Sequence, residues 1–400
     1  MTANTIDRQL AVIRRVASDI VSEEELVAKL KRGKPLRIKY GMDPTAPDIH
    51  LGHCVQLRLL RKLQDFGHRV VPIVGDYTAR VGDPSGASKT RPQLSGEDID
   101  RNAQTYIEQV GRILVTDDPE RFELRRNGEW FAKLSFADVL RLCSQMTVAR
   151  MLERDEFTKR YKAGTPIHIH EFLYCLMQGA DSVEVRADIE MGGTDQHFNL
   201  LVGRDLMRNA RLEPQVTITT PIVEGTDGVR KMSKSLGNYI AVTDAPEEMF
   251  GKLMRIPDAI MPKYYRLLTD EPLDKIEEIE KAGDPMAAKK RLAALVIEQL
   301  YDAEAARAAE ANFRQVVQQG QAPDEMPEYT APAEPVGIVN LLKAALPKAP
   351  SSSSDLRRMV QQGGVSIDDE KITDPRAEVT PRDGMVLKCG KRNYVRVRVR

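Results

Sequence analysis

Hydrophobic positions along the chain switch repeatedly between a helical period and a strand period, which predicts an α/β fold. Ile6, Leu10, Ile13, Val16 and Ile20 recur at helical intervals, and Ser22-Glu23-Glu24-Glu25 reads as a helix start with acids in its first turn. Pro35 to Tyr40 alternates apolar and polar residues as a short strand does. Val55, Leu59, Leu63 and Phe66 then keep helical spacing up to Gly67, and Val70-Val71-Pro72-Ile73-Val74 is the apolar run of a strand buried on both faces. Together these segments predict a β-α-β unit of a parallel sheet. Residues 98–160 are helical by period, with Ser135-Phe136-Ala137-Asp138 matching a capping box and Met146, Val148, Met151 and Leu152 supplying apolar contacts. Val183, Val185, Ala187 and Ile189 alternate as a strand, and Leu200, Leu201 and Leu206 follow at helical spacing.

From Ala245 to about Phe313 the pattern is helical and charged, with Tyr264 and Tyr265 read as part of an exposed face. Pro323, Pro327, Pro332 and Pro335 then mark a linker over residues 319–336. Beyond it, Ile338, Leu341, Leu342 and Leu346 predict one helix and residues 354–360 a second, closed by Gly363-Gly364 before a strand at Val365. In the last thirteen residues Lys388, Lys391, Arg392, Arg396, Arg398 and Arg400 occur with no acid, and Val395, Val397 and Val399 alternate among them. Such a strand has one apolar face and one basic face suited to phosphates.

Four hundred residues imply two or three domains. The 59 basic and 59 acidic residues cancel, so contact with nucleic acid has to come from a local patch. Cys54, Cys143, Cys175 and Cys389 are far apart with no pair at metal-ligand spacing, and neither a signal peptide nor a long apolar span is evident. A reducing, cytoplasmic setting away from membranes is the expectation. Cys54 reads as a small packing residue.

The candidate chemistry starts at the strand-to-helix turn Gly41-Met42-Asp43-Pro44-Thr45-Ala46-Pro47-Asp48-Ile49-His50-Leu51-Gly52-His53. A strand's carboxyl end followed by a helix N-terminus is an anion site, because unpaired amides and the helix dipole point there. Two histidines flank Leu-Gly in this turn, and Gly52 leaves room for a base or ribose. A second glycine turn, Gly192-Gly193-Thr194-Asp195-Gln196, suits adenosine, with Asp195 accepting a ribose hydroxyl and Gln196 reaching a substrate carbonyl. His197 beside it reads as a helix-surface residue. Tyr174, Gln178 and Asp181 are spaced i, i+4, i+7 and form a polar stripe among Phe172, Leu173, Leu176 and Met177. A half-buried carboxylate at Asp181 accepts a hydrogen bond from a phenolic hydroxyl and is left unpaired by an amino acid lacking one. Lys231-Met232-Ser233-Lys234-Ser235 brings two lysines on a glycine-flanked loop.

The histidine turn and the lysine loop together resemble the two signatures of class I aminoacyl-tRNA synthetases. With Asp43 to Thr45, Tyr174 to Asp181 and Gly192 to Gln196, the sequence resembles the bacterial tyrosyl-tRNA synthetases over nearly its whole length. The resemblance implies activation of tyrosine by ATP, carrying Mg2+, to tyrosyl-adenylate and pyrophosphate, followed by transfer to tRNA(Tyr). In that frame Thr45, His50 and His53 contact the phosphates from one side, and Lys231 and Lys234 close from the other. Gly41, Asp43, Gly52, Arg91, Gly193 and Asp195 complete the ATP site. Asp83, Tyr174 and Gln178 hold the amino group of tyrosine, Gln196 its carboxyl end, and Asp181 its hydroxyl. The family often has a lysine where Ala87 stands, with Lys89 as a substitute. It commonly has a tyrosine where Lys39 stands, which leaves Tyr40, Asp76 or a water as the second hydroxyl ligand.

The implied organisation is a Rossmann-like catalytic domain with a helical insertion over residues 1–240, an α-helical tRNA-binding domain over 241–318, the linker, and an α+β RNA-binding domain over 337–400. The last resembles the ribosomal S-four type and offers Arg357, Arg358, Lys388, Lys391 and Arg392 to RNA. A homodimer is the expectation for the family. Tryptophanyl-tRNA synthetase, a small nucleotidyltransferase and a synthetase-like protein without catalysis are the rival readings.

Overall fold

The computed structural model describes residues 3–44, 48–84, 95–319, 322–323, 326–346, 352–390 and 393–400. It forms two compact units, residues 1–245 with 252–300, and residues 246–251 with 301–400.

The first unit is built on β1 (Asp19–Val21), β2 (Arg37–Met42), β3 (Arg69–Val74), β4 (Arg125–Arg126), β5 (Ile189–Gly193) and β6 (Val216–Thr220), in the spatial order β1-β6-β5-β2-β3-β4. All neighbours pair in parallel except β1, which lies antiparallel to β6. A parallel sheet covered on both faces requires strands with no wet side, and Ile38, Val70, Val71 and Ile218 are all fully buried. The same position explains a departure from the expected alternation in β2. Its polar residue Lys39 is also fully buried, because a central strand has no solvent face.

The helix Leu51–Asp65 begins at the extended N-cap His50 and turns Leu51, Val55, Leu59 and Leu63 into the core. Gly67, at φ 87°, reverses the chain into β3 as its glycine predicts. The Ser135–Asp138 capping box is present, with the Asp138 carboxylate accepting from the Ser135 amide at 2.8 Å. The expected strand from Val183 is shorter than its alternation implies. The helix Ile169–Val185 absorbs Val183 and Val185, Arg186 caps it in the left-handed region at φ 50°, and β5 starts only at Ile189. Tyr264 and Tyr265, read as exposed, are fully buried. Their hydroxyls donate to the backbone carbonyls of Glu224 and Ala288 at 2.7 and 2.6 Å, which is how a tyrosine is accommodated inside a helical core.

The division between units falls within the helices of residues 241–318, so that span belongs to both. The stretch read as linker also holds structure. β7 (Glu328–Ala331) pairs in parallel with the last strand, and β8 (Val336–Gly337) pairs with a later one. The rest of the second unit's sheets are β9 (Val365–Ile367), β10 (Glu370–Ile372), β11 (Glu378–Val379), β12 (Val386–Cys389) and β13 (Asn393–Val399). One sheet runs β10-β9-β12-β13-β7, and β8 with β11 forms another. Helices Ile338–Ala345 and Ser353–Gln361 bury Ile338, Leu342, Leu356 and Val360 in a core with Leu387, Val395 and Val397. In β13 Val395 and Val397 are inside, Val399 is partly buried and Arg398 is exposed, as the alternation predicts, while Tyr394 departs from it by being buried next to Val395.

Candidate nucleotide and amino-acid site

β2 and β5 are neighbours, but the chain continues from β2 to β3 on one side and from β5 to β6 on the other. This is the topological switch point of an open sheet, where loops part and leave a crevice at the carboxyl ends of the strands. A cavity of about 280 Å³ lies there, lined among others by Gly41, Asp43, His50, Gly52, His53, Asp83, Tyr174, Gln178, Asp181, Gly193, Asp195, Gln196 and Lys231. Candidates separated by 190 residues of sequence are thus brought to one cavity. Thr45, Arg91, Ala87 and Lys89 lie outside the described residues.

At the nucleotide end the His50 and His53 rings stack tilted, with centroids 3.9 Å apart. His53 Nδ1 accepts from the His50 amide at 3.2 Å, which places its proton on Nε2. Burial pushes the imidazoles down, His50 to about 2 and His53 to about 4, with Lys231 pushing the same way. Both are neutral donors at physiological pH. Gly52 is required by this packing, since a Cβ there would lie 3.0 Å from the His50 ring.

The lysine loop is anchored at two points. The Met232 side chain is buried and its amide donates to Val223 at 2.9 Å, while the Asn238 carboxamide accepts from the Ser233 amide at 2.9 Å and donates to the Lys231 carbonyl at 3.2 Å. Gly225 makes room for Asn238, where a Cβ would lie 2.3 Å from its carbonyl oxygen. The lysine side chains are exposed. Lys231 pairs with Asp195 at 2.6 Å, and Lys234 pairs with Asp48 rather than lining the cavity.

At the amino-acid end Asp181 is 4% exposed and accepts from Trp130 Nε1 at 2.9 Å and from Asn127 Nδ2 at 3.3 Å. Burial pushes its carboxyl up to about 7, against the opposing pull of Lys39 and these two donors. The Tyr174 hydroxyl donates to Asp43 at 2.7 Å, and Thr78 donates to the same carboxylate at 2.8 Å. Asp43, expected at the nucleotide, therefore also braces Tyr174. The Gly75 position must lack a side chain, because a Cβ would fall 2.0 Å from Asp43. Asp83 accepts from Gln196 at 2.8 Å and from Arg154 at 3.3 Å. Successive strand residues face opposite sides. Lys39 reaches Gln178 and Ser182 on one side of the sheet, and Tyr40 lies toward Cys54 and Tyr106 on the other. Asp76 is occupied by the Gly128 amide at 2.7 Å.

Sequence reading missed Asn127, Trp130, Arg154 and Asn199. Trp130 carried the one available signal, as the sole tryptophan of the chain. The RNA-binding candidates belong to the second unit. Arg357 and Arg358 are exposed on helix Ser353–Gln361, and the Lys388 ammonium sits 5.0 Å over the Tyr394 ring. Lys391 and Arg392 lie outside the described residues. His197 is a partly exposed helix residue 3.7 Å from Asp19, and Cys54 is buried.

Comparison with known proteins gives the same answer over the whole chain. Residues 31–318 match the family "tRNA synthetases class I (W and Y)", and residues 317–397 match the "Tyrosine--tRNA ligase SYY-like C-terminal domain". The chain is 51% identical to the tyrosine-tRNA ligase of Symbiobacterium thermophilum, with 99% of each covered, and 51% identical to that of Thermotoga maritima, with 98% of each covered. In fold it is similar to the tyrosyl-tRNA synthetase of Archaeoglobus fulgidus solved with L-tyrosine, at a TM-score of 0.61 and 24% identity over 76% of this chain and 99% of that one. Half-identity along nearly the full length, together with a family match across the sheet and its crevice, makes this chain a member of the tyrosine-tRNA ligases of class I.

Proposed function

We propose that the switch-point cavity is where this ligase performs both of its steps, with the following division of labour. Tyrosine lies with its hydroxyl at Asp181, which Trp130 and Asn127 hold in place. Its ammonium lies among Asp83, Gln178 and the Tyr174 oxygen. Tyr174 spends its proton on Asp43, so its phenolic oxygen is left as an acceptor, which is what an ammonium needs. Gln196 meets the carboxyl end, and Gly193 and Asp195 meet the ribose.

The tyrosine carboxylate is already an anion, so its attack on the α-phosphorus of ATP needs no general base. The oxygen–phosphorus bond forms as the bond to pyrophosphate breaks, and negative charge accumulates on the leaving group. Catalysis is then positioning plus donors aimed at that charge. Neutral His50 and His53, with Thr45 and Arg91, serve one side, and Lys231 and Lys234 the other. Magnesium arrives on the phosphates of ATP. In the second step the terminal ribose hydroxyl of tRNA(Tyr) attacks the adenylate carbonyl and AMP leaves.

The domain roles follow the expected scheme, residues 1–240 for chemistry, 241–318 and 337–400 for tRNA, the latter through Arg357, Arg358, Lys388, Lys391 and Arg392. The chain acts in the cytoplasm; no helix among the described residues is long and apolar enough to cross a membrane. It works as a homodimer, supported by the apolar side chains of Phe136, Leu140 and Val148 on the insertion and of Ile169 at the start of helix Ile169–Val185, each at least 54% exposed.

The observation that carries the reading is the convergence of the histidine pair, Asp195 and buried Asp181 on one cavity. The test is pyrophosphate exchange into ATP with tyrosine, phenylalanine or tryptophan and no tRNA. Exchange with tyrosine alone is expected; exchange with tryptophan would remove Asp181 from its role.

A further inference from the structure

Lys39 stands where the resemblance leads one to expect a tyrosine, and its ammonium is fully buried with all three N–H groups engaged. They reach Glu190 Oε1 at 2.8 Å, Ser182 Oγ at 2.8 Å and the Gln178 carbonyl at 2.6 Å. Glu190 is 1% exposed and also satisfied. Its Oε1 accepts from Gln178 Nε2 at 3.2 Å, and its Oε2 from Ser182 at 3.0 Å and from Gln215. A buried ion pair of this kind adds little net stability over an apolar pair of equal volume. What it does add is direction.

Because Glu190 only accepts, the NH2 end of the Gln178 carboxamide has to face it, and the oxygen has to face the other way. That oxygen accepts from Asn199 Nδ2 at 3.0 Å. The second hydrogen of the same Asn199 nitrogen goes to Gln196 Oε1 at 2.8 Å, and Gln196 Nε2 ends on Asp83 at 2.8 Å. Two glutamine carboxamides are thereby polarised from both ends, by Glu190 and by Asp83, with their oxygens converging at buried Asn199.

We propose that Lys39, Glu190 and Asn199 are positioning residues that fix the orientation of the Gln178 carboxamide, so that it presents its oxygen, and no N–H, to the α-ammonium of the amino acid. This rests on the placement of Gln178 proposed above. A flipped Gln178 would aim its NH2 at the ammonium and repel it. The charged pair thus selects for the amino group, without touching the substrate.

The test compares tyrosine with its des-amino analogue, 3-(4-hydroxyphenyl)propionate, used as a competitor in pyrophosphate exchange. In the Lys39→Met/Glu190→Gln double variant, the neutral carboxamide at 190 no longer dictates the orientation of Gln178. KM for tyrosine is expected to rise about tenfold, while KM for ATP and Ki for the des-amino competitor stay within roughly twofold. Asn199→Ala, which removes only the bridge, should give the same selective loss and serves if the double variant does not fold. A folded variant that keeps the wild-type ratio of tyrosine KM to competitor Ki would overturn the proposal. Gln178→Ala separates the two levels of inference. If it leaves that ratio unchanged, the placement of the ammonium is wrong; if it collapses the ratio and Asn199→Ala does not, only the positioning role fails.

Discussion

Asp181 shows how burial and charge share control of one residue. Its carboxyl titrates near 7, because burial outweighs Lys39, Asn127 and Trp130. A phenolic donor prefers the ionised form, so tyrosine should bind better as pH rises through that value. KM for tyrosine in pyrophosphate exchange is expected to fall up to about tenfold between pH 6 and 8, and the dependence should be absent in Asp181→Asn. Trp130→Phe removes a hydrogen bond to a charged group, worth about 1.5–3 kcal/mol, and should raise KM for tyrosine more than it lowers kcat. The histidines have the opposite sign in stability. Burial pushes His50 to about 2 and His53 to about 4, and also His68, enclosed between the Leu36 amide and the Gln9 side chain, to about 4, so between pH 6.5 and 4 the unfolded chain takes up protons that the folded chain refuses. Folded Asp181 holds its proton over the same window and offsets part of this. The thermal unfolding midpoint should therefore fall on acidification from pH 6.5 to 4.5, and fall more steeply in Asp181→Asn.

At the scale of elements, what was legible in the sequence was local. The histidine turn, the Gly192–Gln196 turn and the Tyr174-Gln178-Asp181 stripe each lie within one turn or helix, and their spacing is enough to place them. Asn127 and Trp130 come from one short helix and Arg154 and Asn199 from two others, all distant in sequence from Asp181 or Asp83, and their roles exist only once a sheet and its helices assemble. β1 was missed because a three-residue edge strand carries no period to read, and the Val183–Ile189 alternation misled because a helix end can mimic a strand over a few residues. The turn itself makes a prediction. Gly52→Ala adds a good helix former, worth about 0.5–1 kcal/mol, but sets a methyl against the His50 ring. Unfolding should change little while single-turnover adenylate formation slows by roughly ten- to a hundredfold.

At the scale of the whole molecule the proposed division of labour between the units predicts that the tRNA steps can be separated from activation. Because β7 pairs with β13, a cut at 337 would strip a strand of its partner, so the informative truncation ends at residue 319. That chain should keep tyrosine-dependent pyrophosphate exchange and lose most charging of tRNA(Tyr) at limiting tRNA. Equal loss of both would contradict the division of labour. The proposed homodimer predicts that the parent sediments as a dimer and a Phe136→Glu/Ile169→Glu variant as a monomer.

With ATP placed as proposed, the two loop lysines are already engaged before it arrives, one with Asp195 and the other with Asp48. Exposed pairs of this kind are worth only about 0–1 kcal/mol, so a polyphosphate displaces them readily. On that placement, entry of the nucleotide is an ion exchange, in which Asp195 and Asp48 hand over their lysines to the phosphates. Stray anions of low charge then compete poorly for the site. Asp48→Asn should make exchange more sensitive to inhibition by sulfate, a cost that would appear in mixed salts and stay hidden in dilute buffer.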